Sequence, residues 1–402
     1  MRCIVLSQQP LTQLITMPLH FPTAEYATRV TAAKQSIQKA GFDALLLFAP
    51  ESHYYLTGYD TFGFAMFQCM IVPAQADIHL LTRAPDLRQA QQTSTLGDAQ
   101  IHIWKDVEGV DPVADLARLL DELGISAGRL GVETQTPGLN AWHGNTLQRE
   151  FSKRYTVEDA STLVRDIRRV KSPLEIEYTK KAASLSDDAL DAALAVTKGG
   201  AFEGDILADM QGAVFRGGGD YAGNEFIIGS GQGALLCRYF SGRRTLDAVD
   251  QLTLEWSGTW RRYHAAMMRT LMIGKANDSQ QKMHAAATDA LRACEQAIVP
   301  GKPMGDVFDA HARTLDDHGY SHARLNACGY GMGAVYNPIW VDFPMFYEGN
   351  PLLMEAGNVF FLHMVMMDSD ANLAMCWGHS VLVTDTGVER LSRHPLDLVV
   401  TA

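Results

Sequence analysis

The sequence predicts an α+β protein of two domains, a smaller α/β domain over residues 1–165 and a larger domain over residues 166–402. The first observation behind this prediction is the alternation of helix-like and strand-like apolar patterns throughout the first part of the chain. The second is a helix-start signal, in which Ser172 suits the N-cap, Pro173 the first turn and Glu175 a capping box. This signal places a long helix directly after the predicted boundary.

The first domain is predicted to contain a small mixed sheet with helices around it. Residues 24–40 show helical apolar spacing and end at Gly41, a typical stop signal. Residues 43–49, with the sequence DALLLFA, predict a short buried strand. Further strands are predicted near 67–73, 78–82 and 101–104, and further helices at 111–123 and 138–151.

The second domain combines amphipathic helices with apolar strands. Residues 358–367, with the sequence NVFFLHMVMM, are almost wholly apolar and predict a strand that is buried on both faces. Residues 252–257 and 263–273 predict a hairpin, and residues 377–385 predict the closing strand. Helices are predicted after Pro173 and at 201–216, 280–298 and 305–318.

Composition excludes several classes of function. The formal net charge of -12 argues against a nucleic-acid partner, which requires a basic surface. No apolar run is long enough to cross a membrane, so a membrane partner is not expected. The six cysteines show no C-x-x-C spacing, which predicts reduced thiols and a cytoplasmic protein.

Five sequence motifs occur in the order of one known family. The family's D-F-G hairpin is similar to LEWSGTWRRYHAAMMRT (254–270), and its G-H-G-I-G turn is similar to GYGMGAVYNP (329–338). Its G-M-V-F-T-I-E-P strand is similar to AGNVFFLHM (356–364). GHSVLVTDTG (378–387) resembles its closing strand, and HYYLTGY (53–59) its N-terminal signature. The chain therefore resembles the creatinase/aminopeptidase-P family, which implies a pita-bread catalytic domain preceded by a creatinase-type α/β domain.

The resemblance also implies where metal ligands should lie. Metal-dependent members hold two divalent cations with four carboxylates and one histidine, and here those positions are Glu255, Ala266, Tyr330, His363 and Gly378. Two dications need several anionic ligands, whereas a methyl group and a bare glycine provide none. The sequence therefore predicts a member of a metal-less branch, with no metal and no other cofactor.

Within that branch the chain is most similar to the bacterial ectoine hydrolases, through EWSGTWRRYHAAMMRT, GYGMGAVYNPIWVDFPMFYEGNP and FFLHM. The resemblance implies metal-independent opening of the cyclic amidine of ectoine to N-acetyl-diaminobutyrate, in the catabolism of a compatible solute. It leaves open whether 5-hydroxyectoine is accepted. It also implies a homodimer, with the aromatic-rich segment 53–67 as the candidate element that reaches the partner's pocket.

Three residues carry the expected chemistry. Glu255 would face the amidinium and either attack its carbon or deprotonate a water. His363 and His379, at or beside former ligand positions, would transfer protons because imidazole titrates near neutral pH. We further expect five residues to contact the substrate: Arg238, Asn337, His264, Tyr336 and Trp256.

Arg238 is the expected partner of the substrate carboxylate because guanidinium binds carboxylate bidentately. It follows the Gly-Ser-Gly turn at 229–231, where the family keeps a substrate-contacting histidine, although one alignment gap would move the match to Cys237. Asn337 stands where metal-dependent members carry a second histidine. Tyr336 and Trp256 would stack on a cationic ring, or pack in the core.

Three alternatives remain open at the level of sequence. A mononuclear metal site could form from His264, His363 and His379 with Glu255, as in a metal-dependent lyase or peptidase of the same fold. A creatinase-like amidinohydrolase would use the same charges without a metal. The other alternative is a binding module without catalytic activity, which the retained carboxylate and histidines argue against.

Overall fold

A computed structural model describes residues 19–238 and 242–402. The chain divides into two compact units between Ser161 and Thr162. The helix α6 (Ser161–Arg168) contains residue 165, where the sequence analysis places the domain boundary. Within the described range, no helix is both long and apolar enough to span a membrane.

The first unit contains a six-stranded mixed sheet of order β4-β3-β2-β1-β5-β6. Its strands are β1 (Ala44–Leu47), β2 (Cys69–Pro73), β3 (His79–Arg83), β4 (Ile101–Trp104), β5 (Gly128–Val132) and β6 (Tyr155–Asp159). Its helices are α1 (Thr23–Ala40), α2 (Pro50–Thr57), α3 (Leu87–Thr93), α4 (Pro112–Glu122) and α5 (Ala141–Phe151). The predicted α/β architecture of this part is confirmed, although the sequence analysis did not predict β5 and β6.

Local signals explain the ends of α1. Gly41 adopts a left-handed conformation with φ of 73°, and its backbone N–H donates to the carbonyl of Gln38. Glycine reaches this conformation without a steric cost, so the helix stops there. Strand β1 begins three residues later and is buried along its whole length, as its continuous apolar run predicts.

The second unit is built on a nine-stranded sheet, whose main path runs β11-β10-β12-β13-β9-β8-β7. Its strands are β7 (Ile227–Ser230), β8 (Asp250–Trp260), β9 (Tyr263–Ile273), β10 (Gly329–Gly331), β11 (Asp342–Met345), β12 (Val359–Asp368), β13 (Leu373–Thr384), β14 (Gly387–Arg390) and β15 (Val400–Thr401). Its remaining helices are α7 (Pro173–Val196), α8 (Glu203–Arg216), α9 (Asp278–Ala297) and α10 (Gly305–Asp317). The two-domain α+β prediction is therefore confirmed.

The start of α7 shows the predicted capping box. The Ser172 hydroxyl accepts the backbone N–H of Glu175, and the Glu175 carboxylate accepts the backbone N–H of Ser172 at 2.9 Å. These reciprocal bonds satisfy two donors that a helix end would leave unpaired. The buried side of α7 packs against β8 and β9.

The register of four central strands decides which side chains share a face. Glu255 pairs with Met268, Met268 with Gly378, and Gly378 with His363 across β8, β9, β13 and β12. Residues directly opposite each other in a sheet project to the same side, whereas chain neighbours project to opposite sides. Glu255 and His363 therefore project to one face, and the residues next to them project to the face covered by α7 and α9.

Candidate active site

The face that carries Glu255 and His363 forms the floor of a small cavity. The cavity encloses about 90 Å³, and its polar wall includes Arg238, Glu255, Tyr330, His363 and Asn224. The rest of the wall is mostly apolar. A few converging polar groups in an apolar cavity are typical of a site for a small molecule.

Glu255 is the buried acid of this cavity. Its side chain is only 8 % exposed, and among the described residues no hydrogen bond reaches its carboxyl group. Burial disfavours the carboxylate and raises the pKa of Glu255 to about 8, although the positive charge of Arg238 acts in the opposite direction. The cavity therefore keeps Glu255 mainly protonated at neutral pH.

His363 contributes a neutral imidazole. Burial lowers its pKa to about 4, and the charge of Arg238 lowers it as well. The rings of Tyr330 and Phe361 each lie 5.5 Å from the imidazole centroid. Within the described range its Nδ1 atom is buried without a hydrogen-bond partner. The side chain is thus held in place by packing while one ring nitrogen stays available.

Tyr330 occupies the position that the family resemblance assigns to a histidine ligand. Its hydroxyl accepts a hydrogen bond of 2.8 Å from the indole N–H of Trp340. Burial raises the pKa of Tyr330 well above its usual value, and the negative charge of Glu255 adds to this effect. The phenol therefore stays protonated and can donate a hydrogen bond into the cavity. The sequence analysis missed Trp340, because an isolated tryptophan carries no local signal of such a role.

Arg238 lies at the exposed side of the cavity, in the segment that follows β7. The Glu203 carboxylate, 1 % exposed, holds both ends of this segment. It accepts the Ser230 backbone N–H at 2.8 Å and hydroxyl at 2.6 Å, and the Arg244 backbone N–H at 2.9 Å. Glu203 thus ties the end of β7 to the backbone at Arg244, on the far side of Arg238 in the chain. Nothing in the local sequence identified this role.

The former ligand positions do not fit a dinuclear metal centre. Ala266 is buried on β9 and offers only a methyl group. A Cβ atom added at Gly378 would lie 2.4 Å from the Leu362 carbonyl oxygen, so the backbone there leaves no space for a carboxylate. Across residues 19–238 and 242–402, no group of three or more His, Cys, Asp or Glu side chains is arranged to hold a metal ion. The side chains at these positions therefore do not provide the ligands of a dinuclear centre.

His379 and Trp256 lie on the opposite face of the sheet from the cavity. His379 is fully buried, and its Nε2 lies 2.7 Å from a carboxylate oxygen of Glu295 on α9. The indole N–H of Trp256 donates to the backbone carbonyl of Ser186 on α7 at 2.8 Å. The sequence analysis grouped both residues with Glu255, and the structure corrects this grouping. Strand alternation turns each of them away from the site.

Three further residues with an expected substrate contact do not line the Glu255 cavity either. His264 is fully buried, and its Nδ1–H donates to the Arg262 carbonyl at 2.7 Å while its Nε2 accepts the Gly223 N–H at 2.8 Å. Both ring nitrogens are therefore engaged. Tyr336 is buried beside the guanidinium of Arg262, and Asn337 lines a neighbouring cavity. The three histidines of the alternative metal site thus lie in three separate environments.

Comparison with known proteins identifies the class that this fold and site define. The model of the creatinase/prolidase N-terminal domain matches residues 29–170, which agrees with the two-domain hydrolase architecture described above. The model of metallopeptidase family M24 matches residues 177–385. The chain belongs to metallopeptidase family M24, so the predicted creatinase/aminopeptidase-P relationship is confirmed.

Individual relatives span nearly the whole chain. An uncharacterised hydrolase/peptidase, y4tM, of Sinorhizobium fredii is 28% identical over 95% of this chain and 99% of its own length. The ectoine hydrolase of Halomonas elongata is 26% identical over 96% of this chain and 100% of its own length. Among solved structures, the dipeptidase PepE of Mycobacterium ulcerans is 25% identical, with a TM-score of 0.81 over 94% of this chain and 99% of its own. The relatives are hydrolases and peptidases by name.

Proposed function

We propose that this protein is a metal-independent hydrolase that opens the cyclic amidine ring of ectoine to N-acetyl-diaminobutyrate. The observation that carries this proposal is one buried carboxyl group, Glu255, in a small cavity that also contains Arg238. The similarity to the Halomonas elongata ectoine hydrolase supports the choice of substrate. The lack of ligands at positions 266 and 378 supports a reaction without metal.

The charges of the cavity complement those of ectoine. Ectoine carries an amidinium cation and a carboxylate on one ring, which would face Glu255 and Arg238 respectively. With the pKa of Glu255 raised to about 8, ionising this group at pH 7 costs about 1.4 kcal/mol. Two unit charges about 4 Å apart attract each other by about 4 kcal/mol at an effective dielectric constant of about 20. A bound amidinium therefore converts Glu255 into the carboxylate that the reaction needs.

The chemistry requires one water molecule and no cofactor. The oxygen of water ends on the amidinium carbon, the bond from that carbon to one ring nitrogen breaks, and the nitrogen takes up a proton to leave as an amine. Glu255 acts either as the base that deprotonates the water or as the nucleophile whose adduct water then hydrolyses. In this proposal the neutral imidazole of His363 would relay the proton.

We expect hydrolysis of ectoine to survive exhaustive chelation, because the family's ligand positions hold a methyl group and a glycine. The measurement is the turnover of ectoine, creatine and an X-Pro dipeptide by EDTA-treated protein, with and without added Mn²⁺ or Zn²⁺. Creatine is included because it carries the same pair of charges, so the cavity would also suit an amidinohydrolase. Activity that disappears with EDTA and returns with a divalent ion would contradict the metal-free proposal.

We also propose a homodimer and expect light scattering to give twice the chain mass of 44.2 kDa. Within segment 53–67, His53 is buried in the first unit, whereas Phe62 is 84 % exposed and Met66 is 51 % exposed. These two exposed apolar side chains are the part of the segment that we expect to contact the partner, since aromatic residues and Met are enriched in protein–protein interfaces. Phe62→Ser should weaken the dimer, whereas Trp142→Ser, at an exposed site in the same unit, should not. A wild-type protein of 44.2 kDa at all concentrations would refute the dimer.

A further inference from the structure

A second cavity adjoins the Glu255 cavity in the same unit. It encloses about 280 Å³, and its wall includes Phe215, Tyr221, Phe226, Asp220, Glu225 and Asn337. Asn224 belongs to the walls of both cavities. Its side chain accepts the Trp340 backbone N–H at 3.2 Å and donates to the Glu225 backbone carbonyl at 2.9 Å. Asn224 therefore forms a fixed partition between the two spaces.

Aromatic rings form one side of the second cavity. The rings of Phe215 and Tyr221 meet edge to face with centroids 4.9 Å apart, yet Tyr221 is 75 % exposed and Phe215 is 41 % exposed. Phe226 is buried behind them. Two large rings kept in contact at the surface leave π faces open to a ligand. The faces of such rings attract cations more strongly than neutral groups of the same size.

Acidic groups lie on the same wall. The Asp220 carboxylate accepts the backbone N–H of Arg262 at 3.3 Å. Among the described residues, the exposed Glu225 carboxylate has no hydrogen-bond or ion-pair partner. The guanidinium of Arg262 stacks over Tyr336, with 5.0 Å between its central carbon and the ring centroid. The negative charge at the cavity wall therefore remains available to a ligand.

We propose that this second cavity, which we call the aromatic–acidic pocket, binds a small organic cation such as an alkylammonium group. Exposed π faces and carboxylates both favour a cation, and both disfavour an anionic ligand. The ring faces favour an alkylated cation with a weakly held hydration shell. The cation would contact none of the residues that line the Glu255 cavity except the shared Asn224, so its binding does not depend on the reaction at Glu255.

Titration of the wild-type protein with tetramethylammonium chloride, followed by saturation-transfer NMR, tests this proposal. We expect saturable binding, and no comparable binding of neutral tert-butanol. Tyr221→Ala should weaken the binding of tetramethylammonium about fivefold or more, because it removes the more exposed ring. Glu225→Gln should weaken it about two- to threefold, and Phe215→Leu provides a second ring variant. Glu255→Gln should leave it unchanged.

Three outcomes would overturn the proposal. Equal binding of tetramethylammonium and tert-butanol would show that charge is not recognised. Equal binding by wild type and Tyr221→Ala, or a loss only in Glu255→Gln, would place the cation in the Glu255 cavity instead. A change of oligomeric state in Tyr221→Ala would show that the rings contact a second copy of the chain. A failure of the proposed reaction at Glu255 would alter none of these readings.

Discussion

Replacing Glu255 with glutamine is expected to lower the turnover of ectoine about a thousandfold or more, in line with the removal of a nucleophile or general base. Glutamine keeps the shape and hydrogen-bonding capacity of the side chain but cannot ionise. The variant would lose both the charge that faces the amidinium and the group that activates water. The measurement is steady-state turnover of ectoine, with product formation followed by chromatography. Glu389→Gln, at an exposed glutamate that pairs with Lys180 in the same unit, should retain wild-type turnover.

The stability of the Glu255→Gln protein separates a catalytic loss from a folding defect. The folded protein holds the pKa of Glu255 at about 8, against 4.5 in the unfolded chain. As pH rises from 4.5 towards 8, the unfolded chain loses this proton first, so the wild-type carboxyl group increasingly opposes folding. Glu255→Gln should therefore unfold at a higher urea concentration than wild type at pH 7. A folded variant that keeps more than about a tenth of wild-type turnover would move the catalytic role to His363.

The pH dependence of wild-type turnover is expected to follow the ionisation of Glu255. Only the ionised form of Glu255 can react, so kcat/KM should rise with pH and level off above the pKa of about 8. Between pH 6 and pH 8 the ionised fraction increases about fiftyfold, and kcat/KM should follow it. His363, with a pKa of about 4, stays neutral over this range and adds no second step.

The two kinetic constants should respond to pH differently. The profile of kcat/KM reports the free enzyme, whereas that of kcat reports the enzyme–substrate complex. Because the bound amidinium favours the Glu255 carboxylate, the inflection in kcat should lie at a lower pH than the inflection in kcat/KM. Measurement of both constants from pH 5.5 to 9.5 in buffers of constant ionic strength tests this expectation. A kcat/KM profile that is flat from pH 5.5 to 9.5, as an unshifted pKa of 4.5 would give, would contradict a desolvated Glu255.

The aromatic–acidic pocket would give the protein a second site for a cationic group, next to the Glu255 cavity. Asn224 lines both cavities, and the other wall residues named above belong to one cavity each. Arg238 is the cation on the wall of the Glu255 cavity, where it would hold the substrate carboxylate. The binding of tetramethylammonium and the turnover of ectoine are therefore separate measurements, one for each cavity.

Much of the fold was predictable because its signals are local. Three such signals, each contained in a few residues, correspond to observed elements. They are the capping box at Ser172 and Glu175, the helix stop at Gly41 and the apolar run 358–367. The short strands β7, β10 and β11 were missed, since three or four residues carry too little periodicity to identify a strand. Strands β5 and β6, of five residues each, were missed because glycine and charged residues interrupt their apolar pattern.

The sequence by itself determined the family, the two-domain fold and the loss of metal ligands, because residue type alone shows that Ala266 and Gly378 offer no ligand atom. Only the tertiary structure decided which side chains meet Glu255. His379 follows Gly378 directly in the chain, yet pairing across β12 and β13 turns it to the helix-covered face, where it contacts Glu295. The pairing of distant strands brings His363 and Glu255 to the wall of the same cavity, since the register between strands depends on packing over the whole sheet and not on any local stretch of sequence.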